Sequence, residues 1–306
     1  MGLVRKFRIC GLGAVFILAV LPLKAQQDAH ALVSRMVDNE LNAQKHPRYW
    51  MFRQTSQKGG STQVTEAIET TKCWLSWPVS YNGHPPTPEQ QKAAKQELDR
   101  LVRDDHARRQ NRAAIDQDAR KSAALLRMLP DAFLFTSHGT QQGNIRLSFQ
   151  PNPRFQPPSR EAKVFHNMEG TLVINAKEIR LVSLSGRLRS DVTFGAGFLG
   201  RLHKGGTFHV EQTKVAPDDW ETSLIDVHIA GRALLFHTIS EQQHQINADF
   251  RPAPSDLSLA QAASMLEKKG EKASVSMTHC CRPAKEIGDA STPPQSFLTA
   301  RAAQAN

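Results

Sequence analysis

An α+β fold is predicted, with one large curved antiparallel sheet left as an unclosed half-barrel and amphipathic helices over its concave face. Three features of the sequence predict it. Residues 169–251 form an unbroken run of strand-like alternation and short turns. A hairpin and a further strand precede that run, at residues 49–81. Helix-period segments at 28–45, 88–128 and 257–269 are the elements able to cover an apolar sheet face.

The chain opens with Arg5, Lys6 and Arg8, an apolar run over Ile9–Leu23 and then Lys24-Ala25. This pattern reads as a signal peptide cut after Ala25. The run is short for a membrane span, so the mature protein is expected to be soluble and exported to the periplasm. One domain over residues 26–269 follows, carrying a helical insertion at 87–129. Residues 270–306, rich in Ala, Ser, Thr, Pro and Lys, read as a disordered tail.

Within the domain, Leu32, Val33, Met36, Val37 and Leu41 recur at helical spacing and His46-Pro47 ends that helix. Lys58-Gly59-Gly60 joins two strands, and Trp74, Leu75, Trp77 and Val79 mark a third. Thr87-Pro88-Glu89-Gln90 is a capping box that opens the insertion, with a break expected near Asp104–Ala107. The insertion has ten basic and seven acidic residues over Pro88–Arg127, so its outer face is solvated. Pro130-Asp131 is expected to end it, two strands follow at 132–135 and 144–150, and Pro151–Pro158 forms a stiff loop.

The central run begins with strands at 170–175 and 179–189, joined by Asn175–Glu178. Val182, Leu184 and Leu188 fall on one face and Ser183, Ser185 and Arg187 on the other. Val192, Phe194, Ala196 and Phe198 continue it, then Lys204-Gly205-Gly206 turns the chain. Residues 207–215 and 220–230 form the next two strands. Gly231-Arg232 is read as a turn, and 233–240 as the last strand. Ser255 is expected to cap the final helix.

Charge and motif searches exclude several function classes. The sheet region has nine Lys or Arg against ten Asp or Glu, which argues against a nucleic-acid interface. The formal charge of +10, part of it in the leader, leaves room for peripheral contact with anionic membrane surfaces. Gly195-Ala196-Gly197-Phe198-Leu199-Gly200 matches a dinucleotide fingerprint but does not open a helix, so no cofactor is expected. His279-Cys280-Cys281 has too few ligands at useful spacing for zinc, and no metal site is expected. Three cysteines remain after the leader, Cys73, Cys280 and Cys281, and their pairing stays open. His209 and His228 lie on polar strand faces. No nucleophile motif accompanies them, so the protein is expected not to be an enzyme.

A partly covered concave face would leave an apolar cavity suited to acyl chains. Phe194, Phe208, Leu235, Phe236, Trp50 and Phe52 are the candidate lining residues.

The order of elements, with the meander opened by Glu169-Gly170-Thr171-Leu172-Val173-Ile174-Asn175-Ala176-Lys177, resembles the periplasmic lipoprotein-localisation superfamily, LolA/LolB-like and including RseB-type sensors. The likeness covers residues 28–252. Leu147–Pro153, Val164–Leu172 and Lys204–Phe208 look like an uncharacterised family of exported bacterial proteins. The resemblance implies a helix-plugged half-barrel that carries a lipid, acyl chain or lipidated ligand without covalent chemistry, with a lipoprotein or envelope protein as partner. Arg53, Arg146 and Arg187 are equal candidates for the carriers' lid-latching arginine. Two rivals are kept: an envelope sensor or scaffold that binds proteins, and a hydrolase using Asp226 and His228 or His237 and Glu241.

Overall fold

A computed structural model of the chain describes residues 21–46, 48–159, 161–194, 200–233 and 237–280. Four helices are α1 (Leu21–Ala43), α2 (Pro88–Arg103), α3 (Asp105–Ala132) and α4 (Leu259–Cys280). The early strands are β1 (Trp50–Lys58), β2 (Ser61–Glu69), β3 (Trp74–Tyr81), β4 (Phe133–Gln141) and β5 (Asn144–Pro151). A 3₁₀ helix at Glu161–Asn167 precedes β6 (Met168–Asn175), β7 (Leu181–Leu188), β8 (Val192–Phe194) and β9 (Gly200–Leu202). The last three strands are β10 (Thr207–Ala216), β11 (Asp219–Ala233) and β12 (His237–Pro252).

All the strands join one 12-stranded antiparallel sheet in the order β3-β2-β1-β12-β11-β10-β7-β6-β5-β4, and it does not close into a barrel. β12 closes back on β1, so the first hairpin and the last strand meet in the middle of the sheet. The β8–β9 pair continues the sheet beside the far end of β11, at Gly231–Ala233.

Local signals explain most element boundaries. Thr87 and Gln90 exchange the reciprocal bonds of a capping box at the start of α2. Asp104 breaks the insertion: its extended backbone ends α2, and its carboxylate caps α3 through His106 N–H at 2.8 Å. Arg108 reaches back to the free carbonyls of Leu101 and Val102, satisfying the end of α2.

Other boundaries differ from expectation. Pro130 does not stop α3. It sits buried in the last turn, where the helix forfeits one bond and continues to Ala132. Gly231-Arg232 is strand, because β9 supplies it with partners at Leu202 and Arg201. β4 extends to Gln141, so only Gln142-Gly143 turns into β5. A register shift opposite Val173 and Ile174 places Leu181, rather than Val182, against Ile174. Ser258, not Ser255, caps α4, in a second capping box with Gln261. α4 runs beyond Lys269 to Cys280, past the expected start of the tail at Gly270; residues 1–20, within the expected leader, and residues 281–306 lie outside the described residues.

The helices, expected together on one face, divide between two. α1 and the second half of α3 cover the face of β4–β7 formed by Phe133, Leu147, Leu172 and Ile174, and this inner face holds the first core. α2 and α4 cover the opposite, outer face of β2 and β3, where Ile68, Leu75 and Trp77 meet Leu98, Leu101 and Leu266. A third core of Trp50, Phe52 and Ala67 lies on the inner face of β1 and β2. α3 passes round the β3 edge, and Asn111 accepts the Trp74 backbone N–H at 3.1 Å.

The docking of α4 depends on Gly270. A Cβ there would come 2.0 Å from Trp77 Nε1. Gly270→Ala is therefore expected to destabilise the domain by about 1–3 kcal/mol through overpacking. Thermal unfolding and faster limited proteolysis within α4 would show it.

Candidate functional site

Between β11 and β12 the sheet splits. Their pairing begins only at Leu224 and Ile246, so residues 219–223 and 247–252 diverge. One bridge remains there, from the Asn247 amide to the Thr222 carbonyl at 2.9 Å. Trp50, Phe52 and Phe250 fill the upper part of the split, the last two rings stacked at 5.3 Å.

Beneath the split lies a half-open cavity of about 430 Å³, lined by the end of α1, the middle of α3, the β2–β3 turn and the adjoining ends of β10 and β11. α1 is held over it by a buried ion pair. Arg180 Nε donates to Glu40 Oε1 at 2.7 Å and Nη2 to Oε2 at 3.2 Å, while Leu181 N–H and the Gln212 amide complete the shell around Glu40. Glu40 is 5% and Arg180 8% exposed, so neither charge has water as a substitute partner. Asn39 adds bonds to the Glu178 and Ile179 carbonyls, fixing the β6–β7 turn against α1.

The cavity is polar and rich in carboxylates. Burial pushes Glu221 up to about 8, reinforced by the Glu69 and Asp219 charges and opposed by Arg180 and the Trp50 indole. Glu69 is also pushed up by burial, against a bond from Trp50 N–H and the field of Arg112. Cys73 lines the same space; its thiol is free and burial raises it, which keeps it unreactive.

From the cavity floor an apolar strip runs along the inner face. Gln212 and Thr222 line the cavity, and Val210 with Phe208 on β10 and Ile225, Val227 and Ile229 on β11 continue the same side of the sheet. All five apolar residues are half-buried, and Val210, Ile225, Val227 and Ile229 belong to none of the three cores. The described helices pack chiefly on β2, β3, β4 and one another, and among the described residues none lies over the strip. Beside it, Gln243, Gln245, Asn247 and Gln54 form a ladder of amide hydrogen bonds.

The six residues named from the sequence fare differently. Phe208 stands at the strip's edge, its ring over Gly186, where a Cβ would come within 2.5 Å of it. Trp50 and Phe52, 2% and 3% exposed, share the inner face but fill the third core, because the split strands leave a gap only large rings close. Phe194 ends β8, and its side chain is outside the described residues, as are Leu235 and Phe236.

None of the proposed latching arginines reaches the inner face. Arg53 pairs with Glu66 and Asp249, Arg187 pairs with Glu169, and Arg146 is exposed beside Val173 on the outer side. Arg180, which the sequence did not single out, is the arginine that pairs with α1, through Glu40. Its sequence signal was weak, because a charged residue after a polar turn reads as solvated.

The outer face carries His209, His228 and His244 near Asp226, which accepts from His244 at 2.9 Å and lies 3.2 Å from His228. The hydrogen bond from His244, first, and the two imidazole charges hold Asp226 below the usual carboxylate range. No serine or cysteine hydrogen-bonds to these histidines among the described residues, and no group there could hold a metal ion. Neither is any described helix long and apolar enough to cross a membrane.

Compared with models of protein families, with curated proteins and with solved structures, the chain matches none.

Proposed function

We propose that the protein is a non-covalent carrier of the cell envelope, holding a lipid, acyl chain or lipidated ligand along the inner face of the half-barrel. The observation that supports this most is the strip of Phe208, Val210, Ile225, Val227 and Ile229, over which no described helix lies and which ends at a polar cavity. Burying acyl surface there would contribute about 0.8 kcal/mol per CH₂. The two features together suit a ligand with an apolar chain and a polar head. Export to the periplasm, implied by the N-terminal sequence, would place such a carrier between two membranes.

Val227→Asp tests the reading, since Val227 lies in no core and its loss should leave the fold intact. Binding of a dansyl-labelled fatty acid is expected to fall more than about tenfold, a loss of roughly 1.4 kcal/mol or more. Ile246→Asp, at an outer-face residue already 41% exposed, should leave binding unchanged. Equal binding by both variants would remove the strip from the site.

A second reading, a scaffold for protein partners, draws on β4. That strand ends the sheet, pairs only with β5, and is exposed over most of its length. Such an edge can accept a strand from another chain.

A further inference from the structure

We propose that the cavity beneath α1 and α3 receives a primary ammonium group, carried by the amphiphile whose chain lies along the β10–β11 strip. This rests on the carrier reading and adds the chemistry of the ligand's head.

The cavity lining is oversupplied with acceptors. Five carboxylates, Glu40, Glu69, Asp116, Asp219 and Glu221, face three guanidinium groups. Each guanidinium already has an acid of its own. Arg180 is spent on both oxygens of Glu40, Arg112 lies 3.0 Å from Asp116, and Arg48 lies 3.3 Å from Asp219. Glu69 and Glu221 are left over, with His46 the remaining basic side chain in the lining.

Unmet hydrogen bonds point the same way. Gln212 gives its N–H to Glu40, which leaves its buried carbonyl oxygen without a donor. Asp219 Oδ2 is likewise buried without a donor, since Arg48 approaches it at an angle that makes no hydrogen bond. Trp50, 2% exposed, points its indole N–H at Glu221, an approach too loose to close a full hydrogen bond but close enough to favour the ionised carboxylate. An ammonium group supplies three donors and no acceptor, together with the missing positive charge. Bound there, it favours the ionised form of Glu221, which can then accept from Trp50. A phosphate or carboxylate head would bring more acceptors and repulsion. A metal ion is disfavoured because no three of these groups converge on a coordination site.

Proton linkage gives the inference its signature. Burial, with the Glu69 and Asp219 charges, pushes Glu221 up to about 8. The groups facing it are Glu69 and Asp219, which raise it, and Arg180, which lowers it. Glu40, His46 and Gln44 from the α1 end, Arg112 and Asp116 from α3, and Cys73 from the β2–β3 turn line the remaining walls. A bound cation must pull the Glu221 titration down, so binding near neutral pH releases a proton.

Calorimetry on the purified protein with dodecylammonium and with dodecanoate, each below its micellar range and in two buffers of different ionisation enthalpy, tests this. Dodecylammonium is expected to bind at least about tenfold tighter than dodecanoate. Close to one proton should be released per bound amine near neutral pH. Glu221→Gln should abolish the proton release and most of the preference, and Glu69→Gln should weaken the preference with the proton release retained. Dodecanoate binding as tightly as the amine, or a preference that survives in both variants, would overturn the head-group inference while leaving the strip in place. Failure of both amphiphiles to bind would overturn the carrier reading as well.

Discussion

Arg180→Ala is expected to destabilise the protein by about 3–5 kcal/mol, the largest loss foreseen for any single side chain on the surface of the cavity. The cause is the carboxylate left behind more than the bond removed. Glu40 would keep Leu181 N–H and the Gln212 amide but lose its counter-charge, in a position only 5% exposed. α1 would keep only the Asn39 bonds and the Leu181 N–H to Glu40 as its hold on the β6–β7 turn, and its cover over the cavity would loosen. The double variant Glu40→Ala/Arg180→Ala should cost much less than the two single changes added together, because no orphan charge remains. Urea midpoints for the three variants measure this directly. A loss below about 1 kcal/mol for Arg180→Ala would mean that the pair is solvated and does not hold α1.

Glu221→Gln is expected to change stability in the opposite direction, by an amount that grows as pH rises from about 4.5 to about 8. The folded protein holds the Glu221 proton up to about 8, whereas the unfolded chain loses it near the ordinary value of 4.5. Between those values the unfolded state binds fewer protons, so the native protein loses stability as pH rises. Each unit of that interval corresponds to about 1.4 kcal/mol, making the penalty above pH 8 several kcal/mol at its upper bound. Glutamine stays neutral throughout. The variant should match the parent near pH 5 and unfold at a clearly higher temperature near pH 9. A parallel pH dependence in both proteins would show that Glu221 is ionised and hydrated in the native state. Glu69, raised for the same reason, leaves a smaller residual slope in the variant.

Much of the fold was legible because period-two alternation and turn chemistry are local. The Lys58-Gly59-Gly60 hairpin, the capping box at Thr87, the break at Asp104 and the β6–β7 pairing follow from neighbours in sequence, whereas the strand expected to continue the meander from 192 does not: β7 pairs with β10, and β8 and β9 pair with each other beside β11. Face assignment was harder. Alternation shows that a strand has two sides but not which is covered, and α2 and α4 took the outer side of β2 and β3. A signal existed in Trp74, Leu75, Trp77 and Val79, a run too continuously apolar for a half-exposed strand. The bulge that exchanges Leu181 for Val182 has no comparable signal, since it depends on the length of the partner strand.

The site was legible in outline only. Phe208 was found by alternation, and its neighbours Val210, Ile225 and Val227 stood in the same pattern without being singled out. Trp50 and Phe52 have the composition of ligand-lining residues, but the split between β11 and β12 gives them a packing role. Glu40 fell on the polar side of the first helix with Asp38 and Asn39, and Arg180 fell inside the strand read over 179–189. Their partnership spans 140 residues of chain, and only the closure of α1 over the sheet brings them together.

Native mass spectrometry of the protein purified from its native source, before and after extraction with organic solvent, tests the central claim most directly. The account predicts an additional mass in the native sample that extraction removes, that is an amphiphile with an acyl chain, and that is absent from Val227→Asp prepared in the same way. A bare polypeptide mass from both proteins, with no dansyl-labelled fatty acid taken up by either, would contradict it.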